Sequence, residues 1–126
     1  MTEEKVKKYN LEGRLINFSI TIIEVVEKLP DSRAASHVGG QILRSGTSTA
    51  FNYGEAQSAE SRNDFIHKMK ICLKELRETN IGLKIIKQKP FLRSEIIDPV
   101  LKECNELISI FKKSIQTSEN NKIKNN

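Results

Sequence analysis

The chain has 126 residues, a length that suits a single domain able to bury about two-thirds of its unfolded surface. Its net charge of +5 favours an anionic partner, with nucleic acid first and an acidic protein or membrane surface next, although a solvated basic surface gives the same charge. Aromatic residues make up only 6% of the chain and tryptophan is absent, which argues against a platform that stacks single-stranded nucleic acid.

The hydropathy of the chain disfavours membrane-spanning and secreted classes of protein. No apolar run approaches the roughly 18 residues that a spanning helix needs. Residues 1–10 are polar and charged, without the apolar segment of a signal peptide. The sequence therefore predicts a cytoplasmic protein that does not enter a membrane.

The first predicted helix runs from Tyr9 to Leu29 on a nearly heptad apolar pattern. Its apolar positions are Leu11, Leu15, Phe18, Ile22, Val25, Val26 and Leu29. Ile16 and Ile23 widen this stripe to nearly half of the helix circumference, which is more than one antiparallel neighbour covers. We therefore predict a second contact on this helix, such as another subunit.

The second predicted helix covers residues 34–57, with Asp31 or Ser32 as its N-cap. Glycines and a run of Ser and Thr disfavour a helix here, so propensity alone leaves a loop as the alternative. A set of polar residues nevertheless keeps helical phase over about four turns, within an arc of roughly 80°. We name this set the polar seam: Gln41, Arg44, Ser45, Ser48, Asn52 and Glu55.

Apolar residues on both sides of the polar seam predict that it is packed against protein. They are Val38, Ile42, Tyr53 and Ala56 on one side and Phe51 on the other. Buried polar groups need partners, so the seam is either a hydrogen-bonded clamp inside a helical bundle or a ligand site. We predict that Arg44 pairs with Glu75 or Glu78 of the next helix, and that these glutamates belong to the structural seam. The alternative is that Arg44 and both glutamates are solvated.

The third predicted helix runs from Arg62 to Lys89, after a capping motif formed by Ser61 and Asp64. About 140° from its core stripe lies a row of cations that continues towards the helix end and the following loop. We name this row the basic ridge: Lys70, Lys74, Arg77, Lys84, Lys87, Lys89 and Arg93. It is a candidate for salt-sensitive, largely sequence-independent contact with phosphates, and a solvated face is the alternative.

The fourth predicted helix begins at Ser94 or Asp98 and ends near Ile115, with Pro99 either at its first position or at a bend. From residue 117 onward Asn and Lys dominate without periodicity, which predicts a disordered polar tail over residues 117–126 after a bundle over residues 1–116. Four amphipathic helices joined by short turns predict an all-α, up-down-up-down four-helix bundle.

Residues that carry catalysis or bind metals are sparse. The two histidines are His37 and His67, and Asp64 with His67 has the spacing of only half a metal site in a bundle. Cys72 and Cys104 occupy core positions, where thiols stay reduced and unreactive. The sequence therefore predicts no enzymatic activity, no metal and no cofactor.

Three segments carry a resemblance to a known family. They are Q-I-L-R-S-G-T-S from Gln41, N-Y-G-E-A from Asn52, and E-S-R-N-D-F-I-H-K-M-K-I from Glu60 followed by L-K-E-L-R-E-T up to Thr79. The chain resembles, from about residue 9 to residue 115, the bacterial four-helix bundle proteins encoded in intervening sequences of 23S rRNA genes. These proteins are sometimes labelled ribosomal proteins, and the accessory protein of diversity-generating retroelements is a relative.

The resemblance implies a left-handed four-helix bundle that assembles with itself as a ring, commonly a homopentamer. It also implies a basic surface that binds RNA or DNA, and no enzymatic activity. Family-typical polar positions match here at Gln41, Arg44, Ser45, Ser48, Asn52, Glu55, Glu75 and Glu78. The segment from Asn80 to Leu83 departs from the family because it lacks an aromatic pair. The alternative function is a protein-interaction or scaffold module with an acidic protein partner.

Overall fold

The protein consists of four α-helices in the part of the chain that the structure describes. The structure, a computed structural model, describes the backbone of residues 3–125 and the side chains of residues 10–121. The helices are α1 Glu3–Lys28, α2 Arg33–Gln57, α3 Arg62–Gln88 and α4 Ser94–Asn125. The predicted all-α class is confirmed.

Each helix packs against the next one in the chain, and the short connections make neighbouring helices antiparallel. The contact between α2 and α3 is the most extensive, and α1 and α4 close the bundle with the smallest contact. This is the predicted up-down-up-down four-helix bundle. The polar seam and the basic ridge therefore belong to the two helices that pack most closely.

Two N-caps begin helices where the sequence predicted them. The amide of Ala35 donates to Ser32 Oγ at 3.2 Å, and the amide of Asp64 donates to Ser61 Oγ at 3.0 Å. The low helix propensity of α2 is offset by packing, because Ile22 of α1 lies directly on Gly46 and Leu29 lies on Gly39. These α2 glycines give α1 room to approach.

The core joins the four apolar stripes that the helical periodicity predicted. Its largest fully buried side chain is Phe111, whose ring meets the ring of Tyr53 edge-on at a centroid distance of 5.9 Å and an angle of 77°. Leu15, Leu76 and Leu107 are fully buried around them. All four helices contribute side chains to this one core cluster.

The end of α4 differs from the prediction. The helix does not stop near Ile115, and residues 117–125 are helical where we expected a disordered tail; residue 126 lies outside the described residues. Ile115 is buried, and Glu119 Oε1 lies 2.9 Å from Lys70 Nζ at the start of α3. A helix continues without an apolar stripe as long as its backbone hydrogen bonds continue, so the loss of periodicity did not mark its end.

The start of α1 also differs from the prediction, whereas α4 begins at one of the two positions that the sequence offered. The backbone of α1 is helical from Glu3, ahead of the predicted start at Tyr9. The α4 helix begins at Ser94, with Pro99 inside it, and the amides of Ile96 and Ile97 donate to the carbonyl of Arg93. Pro99 is close enough to the N-terminus to cost one helical hydrogen bond, from the carbonyl of residue 95, without ending the helix.

Candidate nucleic-acid interface and polar seam

Arg44 joins α2 to α3 through both glutamates that the sequence offered as partners. Its Nη1 atom donates to Glu75 Oε2 at 3.1 Å, and its Nη2 atom donates to Glu78 Oε2 at 2.6 Å. Ser48 Oγ donates to the same Glu75 oxygen at 3.2 Å. The predicted pairing is present, and the planar guanidinium binds a carboxylate with each of two nitrogens across the α2–α3 contact.

A chain of hydroxyl groups lies beneath this ion-pair network. Thr79 Oγ1 donates to the carbonyl of Glu75 at 2.8 Å, so its single proton is used and Ser45 Oγ donates to Thr79 Oγ1 at 2.7 Å. Thr49 Oγ1 donates to the carbonyl of Ser45 at 3.1 Å. All three hydroxyl side chains are buried. Thr49 and Thr79 were not among the predicted seam residues, although each lies four residues after a member of the seam, Ser45 and Glu75.

The polar seam is not buried along its length, which corrects the prediction. Arg44 is 55% exposed in its side chain, and Gln41 and Glu55 are exposed as well, whereas Glu75 is only 14% exposed. The seam is centred about 100° around α2 from the core-facing Ile42, so its longer side chains reach water at the edge of the α2–α3 contact. Buried polar packing is confined to the hydroxyl groups and to Glu75.

The seam is a clamp in this structure, since its polar atoms bind one another. Asn52 Nδ2 donates to the carbonyl of Ser48 at 2.9 Å, and Lys68 Nζ donates to Glu55 Oε2 at 3.2 Å. Among the described residues, no buried side-chain nitrogen or oxygen lacks a hydrogen-bond partner. A ligand would have to displace these bonds, and the clamp therefore replaces the ligand-site interpretation.

Replacement of Arg44 by alanine is expected to lower the melting temperature more than the matched Arg62→Ala change at the exposed start of α3. The hydrogen bond to Glu78 and the charge of Glu75 raise the pKa of Arg44, and its removal leaves the largely buried Glu75 carboxylate without its cation. Thermal unfolding followed by circular dichroism measures both variants. Equal and negligible losses would show that the clamp does not stabilise the bundle.

The basic ridge divides into paired and unpaired cations. Lys70 Nζ lies 2.9 Å from Glu119 Oε1, and Lys87 Nζ lies 2.7 Å from Asp98 Oδ1. The other ridge residues are exposed and, within the described side chains, have no carboxylate at ion-pair distance: Lys74, Arg77, Lys84, Lys89 and Arg93. Three of these lie on α3 itself, and they form the part of the ridge that is free to meet an anion.

Glu78 does not neutralise the ridge, although it lies four residues after Lys74. Its carboxylate binds Arg44 across the α2–α3 contact. Glu75 binds the same guanidinium, so Arg44 offsets one of the two negative charges next to the ridge, and the three unpaired cations of α3 outnumber the one that remains. The clamp therefore leaves the outer side of α3 with a positive charge.

A second surface is apolar and exposed. Ile16, Ile20 and Ile23 form a line on α1, and Leu43 lies beside them on the part of α2 that borders α1. We name these four residues the α1–α2 apolar face. Ile16 and Ile23 were predicted to lie outside the surface that one neighbouring helix covers on α1. Both side chains are exposed in the single chain.

Comparison with known proteins identifies the family. The model of the 23S rRNA-intervening sequence protein family matches residues 7–113. The chain belongs to this family. A crystal structure of a protein of unknown function from the S23 ribosomal protein family of Bacteroides thetaiotaomicron VPI-5482, at 1.70 Å resolution, is similar with a TM-score of 0.77 and 30% identity. The similarity covers 82% of this chain and 96% of that chain, and no curated protein matches.

The thiols of this 23S rRNA-intervening sequence protein are unpaired and buried, as predicted. Cys72 Sγ donates to the carbonyl of Thr49 at 3.7 Å, and Cys104 Sγ donates to the carbonyl of Leu76 at 3.4 Å. Burial raises the pKa of Cys72 to about 12 and that of Cys104 to about 11. Thiols that keep their protons are poor nucleophiles, so neither residue is suited to covalent catalysis.

The remaining polar residues of the family member do not assemble a metal centre. Asp64 is half-buried and His67 is exposed at the start of α3. Over the described side chains, no group of three or more His, Cys, Asp or Glu residues could hold a metal ion. None of the described helices is long and apolar enough to cross a membrane.

Proposed function

We propose that this 23S rRNA-intervening sequence protein is a non-enzymatic, cytoplasmic protein that assembles with itself and binds RNA or DNA through the basic ridge. The observation that supports this most is the row of exposed cations Lys74, Arg77 and Lys84, which have no carboxylate partner among the described side chains. Unpaired cations in a row suit the regular spacing of phosphates on a nucleic-acid backbone.

The arrangement of the acids supports the same function. Glu75 and Glu78 lie on the same helix as the ridge, where free carboxylates would repel phosphates. Arg44 holds both of them from α2, at 3.1 and 2.6 Å. The clamp thus reduces the repulsion of phosphates beside the ridge, in addition to joining α2 to α3. Binding through the ridge depends on charge more than on base sequence.

Removal of the three unpaired ridge cations is expected to weaken binding and to reduce its salt dependence. The ridge variant is Lys74→Gln, Arg77→Gln and Lys84→Gln together, and the control is Lys28→Gln, Lys102→Gln and Lys113→Gln, which removes the same charge from other exposed positions. Binding of a structured RNA and a duplex DNA is measured across a salt series. Each lost phosphate contact reduces the slope of log affinity against log salt by about 0.7–0.9.

The control variant separates the ridge from the overall charge. It should keep the slope of the wild-type protein, since its three lysines lie outside the ridge. Equal slopes in both variants would contradict a ridge-specific contact. Undetectable binding of either nucleic acid by the wild-type protein at low salt would favour the alternative, a scaffold module that meets an acidic protein.

Self-assembly is assigned to the α1–α2 apolar face. Its isoleucines are exposed in the single chain, and burying them against another copy removes apolar surface from water. The face lies diagonally across the bundle from the outer side of α3, so an assembly through it leaves the ridge accessible. Several ridges in one particle raise the avidity for a nucleic acid, and the family resemblance suggests five subunits.

The variant Ile16→Ser, Ile20→Ser and Ile23→Ser is expected to dissociate the assembly into monomers of 14.4 kDa. The control is Ile81→Ser with Ile85→Ser, which removes exposed apolar side chains from α3. Light scattering after size-exclusion chromatography measures the mass of each protein. A wild-type protein that has the monomer mass would contradict the assignment.

A further inference from the structure

We infer that the nucleic acid bound at the ridge has unpaired bases, and that Phe51 is the side chain on which one of them stacks. This inference rests on the proposed nucleic-acid binding and narrows it to single-stranded or looped segments. Aromatic residues are few in this chain, but one of them, Phe51, is 75% exposed, more than any other large apolar side chain in the described part of the protein.

The α3 partners of two neighbouring α2 residues show where Phe51 lies along the bundle axis. Ser48, three residues earlier, donates to Glu75, and Glu55, four residues later, binds Lys68. Phe51 therefore lies opposite the stretch of α3 between Lys68 and Glu75. That stretch carries Lys74, the first of the unpaired ridge cations.

The helical positions place Phe51 and Lys74 on the same side of the α2–α3 pair. Phe51 is about 60° around α2 from Ser48, and Lys74 is about 100° around α3 from Glu75, both in the direction away from the core. Ser48 and Glu75 meet at the edge of the contact, 3.2 Å apart. The aromatic ring and the cation thus lie on the same outer face of the α2–α3 pair.

Further apolar side chains lie within the ridge. Ile81 is 60% exposed between Arg77 and Lys84, and Ile85 is exposed next to Lys84. The outside of a duplex presents phosphates, with which exposed apolar side chains make no favourable contact. Unpaired nucleotides present phosphates and the apolar faces of bases together, and aromatic rings stack on every base without regard to its identity. The mixture of cations and exposed apolar side chains matches the second kind of ligand.

The test compares single-stranded and duplex oligonucleotides at one salt concentration. Phe51→Ala is expected to weaken binding of oligo(dT) and oligo(U) by about tenfold or more and to leave duplex DNA binding unchanged, whereas Phe51→Tyr keeps both. The matched control is Ile110→Ala, which trims a half-buried apolar side chain on α4, outside both the ridge and the α1–α2 apolar face. Because the chain has no tryptophan, Phe51→Trp supplies a single indole that can be excited apart from the two tyrosines, and its emission should be quenched by oligo(dT) and not by the duplex.

The outcomes separate this inference from the proposed function. If the wild-type protein binds neither ligand, the proposed function fails and the inference fails with it. If the wild-type protein binds and Phe51→Ala weakens both ligands equally or neither, only the inference is wrong. A lower particle mass for Phe51→Ala would show that Phe51 is a subunit contact. An equal loss of binding to poly-glutamate would show that this outer face of the α2–α3 pair binds an acidic protein. Either result overturns the inference.

Discussion

Replacing Gly82 by alanine is expected to lower the free energy of unfolding by about 1–3 kcal/mol, although alanine is the better helix former. Gly82 is buried in the contact of α3 with α2, and a Cβ atom built on it would overlap Cγ2 of Ile42. Ile42 is fully buried and has no room to retreat. The two helices must separate to admit the methyl group, which loosens the contact that also holds the Arg44 clamp.

Gly40→Ala is the matched control for this substitution. Gly40 is an exposed helical glycine with no atom within 4 Å of an added Cβ, so alanine there should raise the free energy of unfolding by up to about 1 kcal/mol. Ile42→Ala removes the obstructing methyl group, and its effect should be less than additive with that of Gly82→Ala. Urea unfolding measures all variants. A gain in stability for Gly82→Ala similar to that for Gly40→Ala would contradict the close packing of α2 and α3.

Alkaline pH is expected to destabilise the protein through its two buried thiols. In the unfolded chain the thiols lose their protons near pH 9, whereas in the bundle burial raises the pKa of Cys72 to about 12 and that of Cys104 to about 11. Above pH 9 the unfolded state therefore binds fewer protons than the folded state, and the free energy of unfolding falls as the pH rises. The expected loss from both thiols together is about 3 kcal/mol by pH 10.

The double variant Cys72→Ala, Cys104→Ala isolates this effect. All other titratable groups are common to both proteins, so the difference between the two stability–pH curves reports the thiols alone. Chemical unfolding at pH values from 7 to about 10.5 provides these curves. Parallel curves above pH 9 would mean that the thiols ionise as easily in the bundle as in the unfolded chain.

The helices were predictable because their signals are local. α2 was predicted as a helix despite its glycines, since polar residues kept one helical phase from Gln41 to Glu55. Its start was placed within one residue of Arg33 from the N-cap candidates Asp31 and Ser32. The partners of Arg44 followed from the same phase, because a single face of α3 carries both Glu75 and Glu78. The predicted end of α4 near Ile115 was wrong, because the loss of apolar periodicity there was interpreted as the end of the helix.

The depth of the seam and the free charges of the ridge could not be predicted in this way. Lys70 and Lys87 resemble Lys74 in sequence, yet each meets a carboxylate of α4, at Glu119 and Asp98. The exposure of Phe51 was not predicted either, since Phe51 was interpreted as an apolar flank of a seam packed against protein, whereas it is 75% exposed. Each of these properties depends on which helix lies next to which.

The amino-acid sequence by itself determined four amphipathic helices, a weak helix aligned by polar residues, and a cationic row on the third helix, because backbone hydrogen bonding and side-chain period are set within a few turns. Only the tertiary structure decided which charges are cancelled, which polar groups are buried, and where an aromatic ring stands beside unpaired cations. Those properties arise from distances between separate helices, which spacing along one chain does not specify.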